Sequence, residues 1–322
     1  MCTALSFLGR YFGRNLDLEG SYGEKICILP RNAPFVFRRV KGPERHYAMI
    51  GMAVVTEGVP LYYDAVNEAG LCMAGLNFPG NAHYHPEVEG KDNVTPYEII
   101  PWILGQCATI QQAKEMLERM NVADIPFSDR IPLATLHWMI SGRDGSLVVE
   151  SMADGLHVYE NPAKVMTNNP PFPYQLFNLN NYRSLSAATP ENRLSGELEL
   201  DVYCQGLGGL GLPGDLSSMS RFVRAAFHCQ KAVCEEGESS AVSQVFHILG
   251  AVEMPRGSCR GDNGQTDLTV YSCCMAADTG RYYYTTYDNR QISCVDMNRE
   301  DLEGAALAVF ELRKEQSICW QN

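Results

Sequence analysis

The order of strand-like and helix-like segments along the chain predicts an α+β fold. Short β-forming segments occupy the N-terminal third and the C-terminal end, and most of the amphipathic helical segments are grouped between them. In a chain of alternating βαβ units, strands and helices would follow one another throughout, so this order argues against a doubly wound parallel sheet. One layered domain can accommodate 322 residues. Because no internal repeat or linker of biased composition divides the chain, we predict one domain over residues 1–322.

The predicted strands are runs of β-branched and aromatic residues interrupted by glycine, proline or asparagine. Two hairpins are predicted, one around residues 67–70 (Asn-Glu-Ala-Gly) and one around Asp144 and Gly145. The predicted strands cover residues 2–7, 25–29, 35–39, 47–55, 62–66, 71–77, 135–140, 146–150, 268–276, 281–287 and 291–297.

The helix predictions rest on capping signals and helical periodicity. Thr95 is expected to cap a helix over residues 97–104, with Pro96 at its first position. Apolar residues recur at helical spacing over residues 109–120. Two further amphipathic helices are predicted at residues 217–233 and 240–252, and a loop-rich segment at residues 168–213.

Net charge and cysteine spacing exclude several classes of function. The chain has 26 basic and 38 acidic residues, a net charge of −12, whereas a nucleic-acid-binding protein needs a clustered basic face. The twelve cysteines form no CxxC pair, which argues against zinc and thioredoxin-type sites. His83 and His85 have no further ligands at suitable spacing. We therefore expect no metal and no nucleic-acid partner.

Nothing in the sequence predicts export or membrane insertion. Charged residues at positions 10, 14, 17 and 19 interrupt the N-terminal region before a long apolar stretch develops. The longest apolar runs, such as residues 48–55, are too short to span a bilayer. We therefore expect a cytoplasmic protein whose cysteines are mostly buried thiols rather than a disulfide framework.

Cys2 differs from the other cysteines because it follows Met1. Removal of Met1 would give Cys2 both a thiol and a free α-amine, and an α-amine with a pKa of roughly 7.7–8.0 can act as the base beside a nucleophile. A strand paired with the N-terminal strand would carry Arg14 and Asp17 to the Cys2 end. The cation favours a thiolate and the carboxylate can hold the amine. On position alone, an accidental cysteine and a surface ion pair are the commoner explanations.

Several short blocks of distinctive sequence are distributed over nearly the whole chain. They are residues 1–5 (MCTAL), 12–17 (FGRNLD), 21–24 (SYGE), 67–71 (NEAGL), 74–79 (AGLNFP), 135–139 (TLHWM), 167–170 (TNNP), 211–215 (GLPGD) and 220–222 (SRF). Together, and in this order, the blocks resemble the choloylglycine hydrolase family, a branch of the N-terminal nucleophile hydrolases. The resemblance implies a four-layer αββα fold, in which two packed antiparallel sheets lie between helical layers.

The resemblance implies a role for each polar residue of the motifs. Cys2 would be the nucleophile, Arg14 its electrostatic partner, and Asp17 the group that positions the α-amine. Asn77 and Asn168 would bracket the oxyanion of the tetrahedral intermediate, because an asparagine amide donates hydrogen bonds and carries no titrating charge.

Arg221, in the Ser-Arg-Phe block, would complete this polar network. The residues that would face the substrate by similarity are Leu16, Phe127, Ile131 and Leu136. Thr56 is polar where similarity suggests an aromatic side chain, so we expect the shape of the substrate pocket to differ there.

The implied activity is hydrolysis of the amide bond in glycine- or taurine-conjugated bile acids, such as glycocholate or taurocholate. The reaction would pass through a thioester and would need neither a metal nor an organic cofactor. The family is typically tetrameric, so the resemblance also implies a homo-oligomer.

Two alternatives remain open from the residues. A penicillin V acylase or an N-acyl-homoserine lactone acylase would use the same chemistry on the same scaffold. Asn77 argues against the former, because similar penicillin V acylases typically have a tyrosine there. A binding protein that kept the scaffold without turnover would have no need to lose Met1.

Overall fold

Two large antiparallel sheets form the centre of the protein in the computed structural model, which describes residues 1–261 and 264–322. In chain order the strands are β1 (Cys2–Phe7), β2 (Tyr11–Leu18), β3 (Lys25–Leu29), β4 (Met49–Thr56), β5 (Val59–Asn67), β6 (Cys72–Asn77), β7 (Asp92–Val94), β8 (Met120–Val122), β9 (Leu136–Gly142), β10 (Gly145–Met152), β11 (Gly155–Glu160), β12 (Val165–Met166), β13 (Cys259–Arg260), β14 (Thr266–Ala276), β15 (Arg281–Thr286), β16 (Ser293–Asp296) and β17 (Ala308–Glu311). The helices are α1 (Ile99–Leu104), α2 (Ile110–Arg119), α3 (Phe172–Asn178), α4 (Ser218–Lys231) and α5 (Glu238–Gly250).

The strands of each sheet come from distant parts of the chain. The first sheet has the order β12-β1-β2-β14-β15-β16, with β13 paired to β14. The second sheet has the order β11-β10-β9-β6-β5-β4-β3-β17. The short strands β7 and β8 pair with each other. None of the described helices has the length and apolarity needed to cross a bilayer.

Helices cover the outer face of each sheet. On the first sheet, α4 and α5 pack against β1, β2 and β14, and on the second sheet, α1 and α2 pack against β5, β6, β9 and β10. One apolar core joins Phe12 of the first sheet to Ile50 and Met139 of the second. The other core holds Trp102 and Trp138 between the second sheet and its helices. The expected four-layer αββα arrangement is therefore confirmed.

Most of the predicted elements are present. The bounds of β1 and β3 are as predicted, and both predicted hairpins form, as β5–β6 and β9–β10. At the start of α2 the side chain of Thr109 accepts a hydrogen bond from Gln112 N. The predicted loop-rich segment contains α3 and is otherwise largely irregular.

Two predictions were wrong around α1. Residues 35–39 do not form a strand, because the loop is held by side chains: the rings of Phe37 and Trp102 lie 5.0 Å apart, and Arg38 N donates to Glu98. Thr95 does not cap α1, which begins at Ile99. The Glu98 carboxylate accepts from Thr95 N at 3.2 Å and holds residues 95–98 in a turn instead.

Candidate active site

The pairing of β1 with β2 brings Cys2, Arg14 and Asp17 together, as the sequence predicts. Cys2 lies opposite Leu16, and Ala4 lies opposite Arg14. Side chains alternate between the two faces of a strand, so Arg14 and Leu16 point between the sheets while Asp17 points toward α4. The site therefore extends across β1 and β2, with the thiol on the inner face and the carboxylate on the helical face.

The thiol of Cys2 contacts a buried guanidinium. Arg14 Nη2 lies 3.3 Å from Cys2 Sγ and also donates to the carbonyl of Gly75 at 2.9 Å. Cys2 is 1% exposed, and Arg14 is equally buried. Although burial lowers the pKa of Arg14, the nearby Tyr271, Cys2 and Asp64 raise it above the usual value of a guanidinium. A permanent positive charge thus faces the sulfur.

Asn168 faces the main-chain nitrogen of Cys2. β12 pairs with β1 in a register that matches Ala4 with Met166, and two further residues place Asn168 opposite Cys2. Cys2 N and Arg221 Nη2 both donate to Asn168 Oδ1 at 2.8 Å. Asn168 Nδ2 donates to the carbonyl of Asn77 at 2.7 Å. Because Oδ1 receives both hydrogen bonds, the orientation of the amide is determined.

Asp17 has one satisfied and one unsatisfied carboxylate oxygen. Oδ1 accepts from Thr269 Oγ1 at 2.6 Å, whereas Oδ2 has no hydrogen-bond partner among the described residues and lies 3.9 Å from Arg221 Nη1. Burial raises the pKa of Asp17 above its ordinary value, against the opposing effects of Arg221 and Thr269. Met1 lies beside this carboxylate, because its carbonyl accepts from Asp17 N at 2.8 Å.

Arg221 joins the elements of the site from the buried face of α4. Its Nη1 donates to Cys2 O and Thr3 Oγ1, both at 2.6 Å. The structure thus unites all six predicted polar residues in one network. Asn77 enters it through its main-chain carbonyl, at the end of β6.

An apolar cavity of about 310 Å³ lies beside this network. Of the four residues expected to face the substrate, Phe127, Ile131 and Leu136 line it. The fourth, Leu16, does not line it and is buried opposite Cys2. Thr56 lines the cavity together with aromatic side chains. The ring of one of them, Tyr63, lies 5.7 Å from the Arg14 guanidinium and connects the cavity to the site.

The polar partners of the site that the sequence did not predict include Thr269 and Asp64. Thr269 had no signal, because a threonine within a strand is ordinary. Asp64 could have been identified from the sequence, because it is a carboxylate inside the run Tyr-Tyr-Asp-Ala-Val, which otherwise indicates a buried strand. A charged residue in such a run is buried only when it is paired.

Replacement of Arg221 by methionine is expected to lower the free energy of unfolding at pH 7 by ~3 kcal/mol, because a buried carboxylate loses its counter-charge. Without Arg221 the pKa of Asp17 rises further, so Asp17 becomes protonated in the folded protein at a higher pH than in the unfolded chain. The loss of unfolding free energy is therefore largest at pH values above the pKa of Asp17 in the folded variant. It becomes smaller as the pH falls below that pKa toward the ordinary pKa of aspartate. Urea unfolding of Arg221→Met and wild type over this pH range measures the difference.

Arg224→Met is the matched control for this variant. Arg224 follows Arg221 by three residues on α4, and its guanidinium donates to the main-chain carbonyls of Ala251, Pro213 and Asp215. We expect this variant to lose stability without the same pH dependence. A loss in Arg221→Met that stays constant with pH would show that Asp17 is not the group left unpaired.

The comparisons with known proteins agree with this fold. A family model described as linear amide C-N hydrolases, choloylglycine hydrolase family, matches residues 2–310. A protein named bile salt hydrolase/transferase from Lactiplantibacillus plantarum is 51% identical over 317 residues, with 98% of each chain covered. A protein of the same name from Clostridium perfringens is 40% identical over 326 residues, with 99% of each chain covered.

Solved structures give the same result. The crystal structure of the mutant C2A conjugated bile acid hydrolase from Clostridium perfringens matches with a TM-score of 0.91 and 40% identity, with both chains fully covered. A penicillin V acylase from Agrobacterium tumefaciens shares the fold, with a TM-score of 0.72 at 23% identity over 96% of this chain and 90% of that one. The chain therefore belongs to the choloylglycine hydrolase family of linear amide C–N hydrolases.

Proposed function

We propose that this protein hydrolyses the amide bond of glycine- or taurine-conjugated bile acids, with Cys2 as the nucleophile. The observation that carries the proposal is the Cys2 thiol, 3.3 Å from the Arg14 guanidinium, beside an apolar cavity. Relatives named as bile salt hydrolases over almost the whole chain support the choice of substrate.

The mature chain begins at Cys2 in this proposal. Loss of Met1 turns the amide nitrogen of Cys2 into an amine, which can accept and donate protons. Two acceptors suit that amine: Asn168 Oδ1, already 2.8 Å from the nitrogen, and Asp17 Oδ2, which is buried without a partner. A buried unsatisfied carboxylate oxygen is costly, and the new ammonium hydrogens would satisfy it.

The reaction then follows from the positions of these groups. The α-amine takes the thiol proton, and the sulfur attacks the carbonyl carbon of the substrate amide. The oxyanion of the tetrahedral intermediate would be held by the side-chain amide of Asn77 and by the second hydrogen of Asn168 Nδ2, and one well-placed donor is worth roughly 10²–10³-fold in rate. The C–N bond breaks as the amine proton passes to the leaving glycine or taurine. Water, deprotonated by the same amine, hydrolyses the thioester.

The cavity suits the acyl part of this substrate. A bile acid has a large apolar steroid body, and such bodies bind in clefts that are mostly apolar with a few polar groups. Phe127, Ile131 and Leu136 supply apolar surface, and Thr56 supplies a hydroxyl at the cavity wall. The substrate amide would extend from the cavity past Tyr63 to the sulfur.

We further propose a cytoplasmic homotetramer. All twelve cysteines, each within the described residues, are free thiols, as a reducing compartment maintains them. The loop that follows α3 exposes apolar side chains of the kind that subunit interfaces cover. Sedimentation velocity measures the assembly, and a monomer would contradict this proposal. More than half exposed in this loop are Leu194, Leu198, Leu200, Val202 and Tyr203.

The substrate proposal is tested with purified protein under reducing conditions, on glycocholate, taurocholate and penicillin V side by side. We expect release of glycine or taurine to be at least roughly tenfold faster than penicillin V cleavage, because pocket contacts discriminate acyl groups by about this factor. The reverse ranking would indicate a penicillin V acylase. No release from any of them, with Met1 absent by intact mass, would indicate another acyl substrate or a binding protein.

A further inference from the structure

We propose that Asp64, held by the hydroxyls of Tyr271 and Tyr282, is a positioning residue that aims the Arg14 guanidinium at the Cys2 sulfur. This inference rests on the proposed function, since it assigns Arg14 to the reacting thiol. Asp64 itself does not touch Cys2, and it acts through Arg14.

The contacts of Asp64 use both of its carboxylate oxygens. Oδ2 accepts from Arg14 Nη1 at 3.1 Å and from the Tyr271 hydroxyl at 2.5 Å, and Oδ1 accepts from the Tyr282 hydroxyl at 2.6 Å. Asp64 is fully buried, as are both tyrosines. Burial, together with the Asp64 charge, raises the pKa of each tyrosine well above its ordinary value. The tyrosines therefore stay protonated and donate to the carboxylate.

A β-bulge in β5 brings Asp64 to this position. In the pairing of β4 with β5, Met52 lies opposite Asp64 and Ala53 lies opposite Tyr62, so Tyr63 is an extra residue. Tyr62 packs in the core under α1, whereas Tyr63 and Asp64 both face the inner side, against Arg14. Bulges re-aim side chains in this way beside active sites.

The opposite strand leaves room for this arrangement. A side chain at Gly51 on β4 would place its Cβ 2.1 Å from the main-chain oxygen of Asp64. Since a contact that short is impossible, only glycine permits this approach of the two backbones. The bulge therefore depends on both strands, on the extra residue in β5 and on Gly51 in β4.

The guanidinium transmits the position of Asp64 to the sulfur. It is a rigid plane, so anchoring Nη1 on Asp64 sets the direction of Nη2, which reaches Cys2 Sγ and the carbonyl of Gly75. Arg14 Nε has no hydrogen-bond partner within residues 1–261 and 264–322. Asp64 is therefore the one anionic side chain bonded to Arg14 in the described part of the chain, and its loss would leave Arg14 held only by neutral groups and the thiol.

A double-mutant cycle between Asp64→Asn and Arg14→Met tests this. We expect Asp64→Asn to lower kcat about 100-fold with Arg14 present, the effect of a misplaced catalytic group, while KM changes less than about threefold. In the Arg14→Met background the same change should lower kcat less than threefold. Additive losses in the two backgrounds would overturn the proposal, because a purely structural residue would act in both.

A second readout separates this inference from the proposed function. The rate of Cys2 alkylation by iodoacetamide, followed by peptide mass, reports on the thiol without any bile acid. We expect the same non-additivity in this rate. If it is found in a protein that cleaves no bile acid, the positioning role stands and the substrate is wrong; equal effects of Asp64→Asn on alkylation with and without Arg14 overturn the role.

Tyr282→Phe covers the case in which Asp64→Asn does not fold. It removes one donor and keeps the Asp64 charge, and we expect a five- to tenfold loss of kcat. Tyr283→Phe is the matched control, because the neighbouring hydroxyl points to the opposite face and bonds Glu238 on α5. Wild-type kcat in Tyr282→Phe, or an equal loss in both variants, would overturn the role of Asp64.

Discussion

Replacement of Cys2 by serine is expected to abolish amide hydrolysis while the protein stays folded. The loss in kcat should be at least ~10³-fold, as for other enzymes that lose their nucleophile. A serine hydroxyl stays protonated near neutral pH, and the one base beside it would be an α-amine with a pKa of roughly 7.7–8.0. The change replaces one atom at a buried position that already has a donor, Arg14 Nη2. We therefore expect the free energy of unfolding to change by no more than about 1 kcal/mol.

Product release from the preferred conjugate, together with urea unfolding, measures both parts of this prediction. Cys294→Ser is the control, since Cys294 is exposed on β16 and its replacement should leave both quantities unchanged. Wild-type turnover by Cys2→Ser would show that another residue is the nucleophile.

An extension that stays attached before Cys2 is expected to lower kcat by a similar factor, although the thiol remains. Insertion of a lysine between Met1 and Cys2 keeps the nitrogen of Cys2 as an amide, whose lone pair is delocalised into the carbonyl and cannot accept the thiol proton. The nitrogen then still donates to Asn168 Oδ1, but it supplies nothing to the unpartnered Asp17 Oδ2. We expect kcat to fall at least ~10³-fold, because the nucleophile has lost its base.

A cleavable extension supplies the control for this variant. The inserted segment is made to end in the recognition sequence of a protease that cuts immediately before Cys2. Activity should be absent before cleavage and return to the wild-type value after it, with intact mass reporting the new N-terminus. Full activity of the uncleaved protein would exclude the α-amine from the mechanism.

The parts of the fold that could be predicted are those encoded by neighbouring residues. β1, β3 and both hairpins follow from runs of β-forming residues and from turn residues that lie within a few positions of each other. The strands β11 and β17 were missed, because partly exposed strands carry polar and charged residues and lack the apolar run of a buried strand. Residues 35–39 have the composition of a strand, but Phe37 and Arg38 are bound to α1 and its N-cap, so tertiary contacts override local preference.

The polar residues of the candidate site were identified through family motifs, and their geometry came from the structure. Asp64 belongs to no motif, and only its place on a bulged strand gives it a function. Arg14 and Asp17 are three residues apart on β2, so their side chains point to opposite faces, Arg14 toward the thiol of Cys2 and Asp17 toward Arg221 on α4.

The part of the site formed by β1 and β2 is encoded by residues close together in the sequence. Leu8 and Gly9 adopt positive φ in the turn after β1, and so short a turn sets the register that brings Leu16 to Cys2. The remaining part of the site forms only when distant elements pack together. Asn168 and Arg221 lie 166 and 219 residues from Cys2 along the chain, and the packing of α4 and β12 on β1 brings them there. Contacts at such separations depend on the packing of whole layers, which no local pattern encodes.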